Sequence, residues 1–217
     1  MNKAFLFDMD GVLVDSEPAW IELENEYLPK FFGTDIAEKL GSLIGLGAYD
    51  IMNRARSLGA VFEEAEYLQK VDDIAKQVYA RSLITPNTNE LVEYLMSHDY
   101  KVALVSQSPK SWIDQVLPRL PFSDTFTAVI SLHGHAELKR KPEPDGFLEA
   151  CSLLDAAPKD SIALEDSNFG IRSGKAAGCY TIGFRGNLVP GYEQVGADAY
   201  ADTMDDVIKL VQNFEKN

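Results

Sequence analysis

The chain has 217 residues, with 34 acidic against 20 Lys and Arg side chains and hence a formal net charge of −14. That negative excess excludes non-specific nucleic-acid binding, which needs a basic surface to displace counterions, and no uncharged apolar run approaches the ~18–20 residues of a membrane helix. With 46% apolar and 25% charged residues the composition is globular, which excludes wholesale disorder and fibrous repeats and suits one large domain or a core with a smaller insert.

In chain order, Met1-Asn2-Lys3 leads straight into an apolar strand over 3–7. That run is too short for a signal peptide and lacks a small-residue cleavage site, which predicts a cytoplasmic protein. The strand closes on Asp8-Met9-Asp10-Gly11, where glycine permits a sharp turn. From Ser16 to Ser82 no strand pattern appears. Ser16 is placed to cap a first helix with Pro18 in its opening turn. Gly41, Gly45 and Gly47 interrupt the segment, and Glu63–Arg81 has the spacing of a long amphipathic helix. Residues 16–82 therefore read as an all-α insert in a core formed by 1–15 and 83–217. Thr85-Pro86-Asn87 marks the return to the core. Short apolar runs over 101–105, 128–132, 161–164 and 180–184 follow. They alternate with helical faces formed by Leu91, Val92, Leu95 and Met96, by Phe147, Cys151 and Leu154, and by Met204, Val207, Ile208 and Val211. Such runs fit strands covered on both faces, and their alternation with helices predicts an α/β fold with a doubly wound parallel sheet. In that architecture ligands bind beyond the carboxyl ends of the strands. Cys151 and Cys179 make neither a metal-binding spacing nor a disulfide framework and are assigned to the core.

The strand ends carry the chemistry. The first holds Asp8 and Asp10, and the second ends in Ser106-Gln107-Ser108. Past the third comes Lys139-Arg140-Lys141-Pro142-Glu143-Pro144-Asp145, a basic cluster in an acidic protein. The fourth ends in Glu165-Asp166-Ser167, a turn into a helix for which Ser167 or Asp166 is a suitable N-cap. Singly these are a polar turn, a small hydroxyl, a charge run and a cap. Together they bring a hydroxyl, a lysine and four acids (Asp8, Asp10, Glu165 and Asp166) to one rim. Carboxylates so crowded repel one another unless a cation intervenes. Mg²⁺, a hard ion that works with carboxylates and a substrate phosphate, meets that need and leaves a lysine to neutralise a phosphoryl group.

With these motifs in this order the sequence resembles the haloacid dehalogenase-like phosphohydrolase superfamily, in its β-phosphoglucomutase-like and sugar-phosphate phosphatase branch with a helical cap. The resemblance spans essentially the whole chain. It rests on Asp8-Met9-Asp10-Gly11-Val12-Leu13-Val14-Asp15-Ser16, on Ser106, on Lys141-Pro142-Glu143-Pro144-Asp145, and on Leu164-Glu165-Asp166-Ser167 with Gly170. It implies a Rossmann-like core with residues 16–82 as the cap. It further implies Asp8 as a nucleophile that forms an acyl phosphate, and Asp10 as the acid for the leaving alkoxide and then the base for water. Ser106 and the backbone N–H groups of Met9, Asp10 and Gln107 are expected to hold phosphate oxygens, with Lys141 neutralising charge. Mg²⁺ is expected on Asp8, the Asp10 carbonyl, Asp166 and Glu165, the last directly or through water. Asp15 is expected to fix the cap linker by backbone hydrogen bonds. Expulsion of halide needs no proton, so Asp10 favours phosphoryl transfer over dehalogenation.

Mutases of this branch carry a His four residues after the position of Ser16, a Lys before the cap glycine and an Arg shortly after it. Trp20, Ile44 and Ala48 stand at those places here, so the cap lacks a basic grip on a second phosphate. Ser16-Glu17-Pro18-Ala19-Trp20 resembles the sugar-phosphate phosphatases instead. The expected activity is a Mg²⁺-dependent hydrolysis of a small phosphorylated metabolite, a sugar or polyol phosphate. Trp20, Ile44, Gly45 and Leu46 of the cap would meet the substrate, and Met52 would pack in the cap core. A phosphosugar mutase and a catalytically silent metabolite-binding protein are the alternatives. His133-Gly134-His135 is set aside as a metal pair, and His98 is placed near a helix end. No nucleic-acid or membrane partner is expected, and the chain is expected to be a monomer or a weak homo-oligomer.

Overall fold

The first apolar run forms β1 (Asn2–Phe7), and a short β2 (Val14–Asp15) precedes four helices. These are α1 (Glu17–Phe32), α2 (Thr34–Leu40), α3 (Ala48–Ser57) and α4 (Glu64–Arg81). Next come β3 (Leu83–Ile84), α5 (Thr88–Ser97), β4 (Tyr100–Ser106), α6 (Lys110–Val116) and β5 (Phe126–Ser131). The chain ends with α7 (Asp145–Leu153), β6 (Ala156–Glu165), α8 (Asn168–Ala177), β7 (Tyr180–Phe184), β8 (Ala199–Ala201) and α9 (Met204–Phe214). These elements belong to a computed structural model that describes residues 2–41, 43 and 46–216. The chain divides into two compact units, Met1–Asp15 with Leu83–Asn217, and Ser16–Ser82. No helix among the described residues is long and apolar enough to cross a membrane.

In the first unit six strands form one sheet in the order β5-β4-β1-β6-β7-β8, with every neighbouring pair parallel. This is the doubly wound α/β arrangement that the alternating pattern predicts. β1 lies in the interior of the sheet; the chain builds β4 and β5 on one side of it, then crosses back to build β6 on the other. That reversal opens a crevice at the carboxyl end of β1. The continuous apolar runs follow from coverage of both faces: Ala4, Leu6, Ala103, Val105 and Ala163 share one buried cluster with Phe147, Ala150, Cys151 and Leu154 from α7 and its end. Cys179 lies in the same cluster, so both cysteines are core residues, as read. His98 is the C-cap of α5, with Nδ1 2.8 Å from the Tyr94 carbonyl.

Several local expectations need correction. β6 begins at Ala156 rather than Ser161, because Lys159 and Asp160 break the apolar pattern without breaking the extended backbone. β8 and the antiparallel pair of β2 with β3 escape a periodicity search because they have only three and two residues each. The apolar stripe of α5 stops at Leu95, and Met96 is exposed. Ser16 occupies the N-cap position of α1, yet its hydroxyl makes no capping bond, since its own backbone is already helical at φ −93°, ψ −25°. The Asp15 Oδ1 atom is buried without a hydrogen-bond partner among the described residues. The linker is instead fixed through the main chain, by Val14 opposite Ile84 and Asp15 opposite Leu83.

All the elements of the second unit among the described residues are helices. Its core is aromatic: Phe32 stacks on Tyr67 at 5.4 Å, and Phe31 and Phe62 meet that pair edge-on or tilted. The Tyr67 hydroxyl donates to the Ala48 carbonyl at 3.1 Å, tying α4 to the start of α3. Met52 is buried here, as expected of a packing residue.

Candidate active site

Asp8 follows β1 directly and extends its pairing with β6, its N–H donating to the Leu164 carbonyl at 3.0 Å. Lys141 reaches the same point from the loop before α7. Its Nζ lies 2.5 Å from Asp8 Oδ1 and 2.5 Å from Glu165 Oε1, and donates to the Val105 carbonyl at 2.8 Å. The ammonium thus joins the carboxyl ends of β1, β4 and β6. Asp8, Lys141 and Glu165 are all buried. Burial pushes the Asp8 carboxyl well above the usual range, with Lys141 opposing that shift and Glu165 and Asp10 adding to it. Burial works against the Lys141 ammonium, but Asp8 and Glu165 outweigh it and raise its pKa. Lys141 therefore stays charged.

One oxygen from each of Asp8, Glu165 and Asp166 lies within 4.8 Å of the others. With all three ionised, three carboxylates against one ammonium would leave two formal negative charges, the balance that a divalent cation would supply. All-oxygen donors, partly buried and converging from two strand ends, suit Mg²⁺ rather than a softer ion. Two glycines make the room. A Cβ on Gly11, whose φ is +76°, would lie 2.1 Å from Asp166 Oδ2, and one on Gly170 would lie 1.8 Å from Glu165 Oε2. Both roles foreseen for the Glu165-Asp166-Ser167 turn coexist: Ser167 Oγ caps α8 by accepting from Gly170 N at 3.0 Å, while Asp166 joins the acidic cluster.

Asp10 stands apart from that trio of side chains. Its Oδ2 accepts a 2.7 Å hydrogen bond from Ser108 Oγ, and Ser108 is held in turn by Ser131 Oγ, which donates to its carbonyl at 2.7 Å. Ser106 is buried, and its Oγ accepts from Ser108 N at 3.0 Å. A hydroxyl that accepts a bond keeps its own hydrogen to donate elsewhere. The Gln107 side chain accepts from Arg140 Nε at 3.2 Å. The Met9 side chain is fully buried, so only its backbone can serve a ligand. Its carbonyl accepts from Val12, Leu13 and Val14, closing the turn that aims Asp8 and Asp10.

Trp20 and Leu46 belong to the second unit, where Trp20 meets Tyr79 edge-on at 6.4 Å. Ile44 and Gly45 lie outside the described residues. His135 Nδ1 accepts from the backbone of Glu137 and Leu138, a loop-shaping role. Sequence reasoning gave no role to Ser108, which anchors Asp10, or to Arg140, and passed over Asn187 and Gln194. Ser108 alone carried a signal, two residues beyond Ser106 on the same loop.

A family model described as haloacid dehalogenase-like hydrolase matches residues 5–184. The chain is 29% identical over 206 residues to the β-phosphoglucomutase of Bacillus subtilis, covering 90% of this chain and 87% of that protein. It is 31% identical over 182 residues to hexitol phosphatase B of Escherichia coli, covering 80% and 79% respectively. Among solved structures it resembles a haloacid dehalogenase-like protein of unknown function from Agrobacterium tumefaciens, with a TM-score of 0.79 at 23% identity over 99% of this chain and 100% of that one. That likeness is one of fold.

Proposed function

The chain belongs to the haloacid dehalogenase-like hydrolase family and is a phosphohydrolase, and from that premise we propose that it hydrolyses small sugar or polyol phosphates through an aspartyl phosphate on Asp8. The observation that carries this reading is the position of Asp8, which touches the buried ammonium and belongs to the acidic trio, while Asp10 is anchored separately by Ser108. The likeness to a hexitol phosphatase supports the substrate class.

Asp8 attacks phosphorus, the ester P–O bond breaks, and the departing oxygen takes a proton from Asp10. Asp10 then takes a proton from water as the water oxygen bonds to phosphorus. The bond to Asp8 breaks, releasing inorganic phosphate and restoring both aspartates. Two easier displacements replace one hard one. Lys141 offsets charge beside Asp8, a preorganised electrostatic contribution. The Ser106 hydroxyl and the N–H groups of Met9, Asp10 and Gln107 hold the phosphoryl oxygens. Asp8, the Asp10 carbonyl, Asp166 and Glu165 would hold Mg²⁺, which would supply Lewis acidity and offset the charge between two anions there. For the substrate side we propose the apolar set that the sequence supplies, Trp20, Ile44, Gly45 and Leu46. Such an apolar set discriminates only modestly among hydroxylated compounds.

The test is Mg²⁺-dependent release of inorganic phosphate from an aryl phosphate and from a panel of sugar and polyol phosphates. Asp8→Asn is expected to abolish turnover, and Asp10→Asn to lower kcat about 10²–10⁴-fold. Activity unchanged by either substitution refutes the chemistry. The likeness to a β-phosphoglucomutase favours a second reading, which interconversion of hexose 1- and 6-phosphates without phosphate release would establish. Absence of turnover on any phosphomonoester would leave the silent binder.

A further inference from the structure

Between β7 and β8 the chain runs as a strap without helix or strand, and its polar side chains grip both acid-bearing turns. Gln194 is 6% exposed, and its Nε2 donates to the Asp166 carbonyl at 2.5 Å and to the Phe184 carbonyl at 2.7 Å. The reversed amide would set an oxygen against two carbonyls, so these bonds fix its orientation. Its Oε1 is left buried with no hydrogen-bond partner among the described residues. A side chain present only to fill this space would be apolar and carry no such orphan. The amide is therefore explained by its two donors.

The same strap reaches the facing turn. Asn187 Nδ2 donates to the Gly11 carbonyl at 3.3 Å and to Thr85 Oγ1 at 2.7 Å. Asn168, two residues beyond Asp166, is held by Tyr192, Glu193 and Val195 at 2.8–2.9 Å. Asp166 and Gly11 form the two walls of a notch in which a Cβ on Gly11 would lie 2.1 Å from Asp166 Oδ2. The Asp166 carboxylate is thus lodged against the Gly11 main chain, so a shift of either turn would bear on its position relative to Asp8 and Glu165.

We propose that Gln194 is a positioning residue for the divalent cation, fixing through its side-chain amide the backbone from which Asp166 presents its carboxylate. Asn187 does the same for the Gly11 wall. The inference rests on the Mg²⁺ role in the proposed hydrolysis and adds that the strap sets the affinity for the ion.

The test is titration calorimetry of Mg²⁺ into the full-length protein without substrate, alongside the Mg²⁺ dependence of turnover. Gln194→Met keeps the volume and removes both donors. It is expected to weaken Mg²⁺ binding about 10-fold or more, the usual effect of losing an outer partner of a metal site, with most of kcat regained at saturating Mg²⁺. Asp198→Asn is the control. It disturbs the same sheet edge, where Asp198 accepts from Thr181 N and pairs with Lys175, without touching Asp166. Unchanged Mg²⁺ affinity in Gln194→Met, or an equal loss in Asp198→Asn, overturns the proposal. Should Gln194→Met not fold, Asn187→Ala is read in its place, with a smaller weakening expected and unchanged affinity again overturning it. A wild-type protein that binds Mg²⁺ but hydrolyses nothing overturns the hydrolase reading alone, because the binding measurement still decides the role of Gln194.

Discussion

Lys141 pairs with two carboxylates and a main-chain carbonyl while almost wholly withdrawn from water. Lys141→Met leaves Asp8 and Glu165 facing one another without that counter-charge. Breaking a buried pair in this way costs about 3–5 kcal/mol. The loss is expected to be smaller in Mg²⁺ than in EDTA, since an ion held as proposed would supply positive charge to the same carboxylates. Chemical denaturation in the two buffers measures it, and an equal loss in both would show that lysine and ion do not share them. Gly170 poses the opposite case. Alanine is favoured over glycine within a helix by about 1 kcal/mol, yet a Cβ here would lie 1.8 Å from Glu165 Oε2. Gly170→Ala is therefore expected to displace Glu165 and raise the Mg²⁺ needed for half-maximal turnover about 10-fold or more. Wild-type Mg²⁺ dependence would mean that Glu165 is not required where it lies.

Among the elements, α1 carries a carboxyl, Glu24, whose partly buried setting disfavours its charged form. Burial, reinforced by neighbouring Glu17, pushes the Glu24 carboxyl up to about 8. Between the ordinary value of 4.5 and about 8 the folded chain keeps this proton while the unfolded chain has released it. Stability from this group is thus full below about 4.5, falls as pH rises through that window and levels off above it. Glu24→Gln is expected to remove the slope. The variant should gain on wild type between pH 5 and pH 8 in denaturation midpoints, and a constant difference would refute the assignment. Elements also differ in how plainly the sequence shows them. Asp8, Ser106, Glu165 and Asp166 stand out because each ends an apolar run, and Lys141 because it interrupts an acidic chain. Gln194 and Asn187 lie in an aperiodic polar stretch, where a residue that grips a distant carbonyl looks the same as one facing water. Only the closed fold distinguishes them.

At the scale of the whole molecule, the chain departs from its sheet-bearing unit after Asp15 and re-enters at Leu83, and those two points are hydrogen-bonded to each other. Thr85 N, donating to the Leu13 carbonyl at 3.0 Å, extends the join. A long insertion whose ends are already adjacent adds little closure entropy to the sheet-bearing unit, because that cost grows only with the logarithm of length. The interior place of β1 has a different consequence. Ala4, Phe5, Leu6 and Phe7 are sealed from solvent, with strands on both sides. Amides in such a segment trade hydrogen for deuterium only when the sheet as a whole opens. Uptake over residues 4–8 is expected to be the slowest in the chain, and heat is expected to extinguish turnover together with global unfolding rather than before it. Earlier exchange there than at the periphery would contradict this. The carboxylate proposed to meet phosphorus hangs from the segment expected to come undone last, so its lifetime in working order is expected to be that of the fold itself.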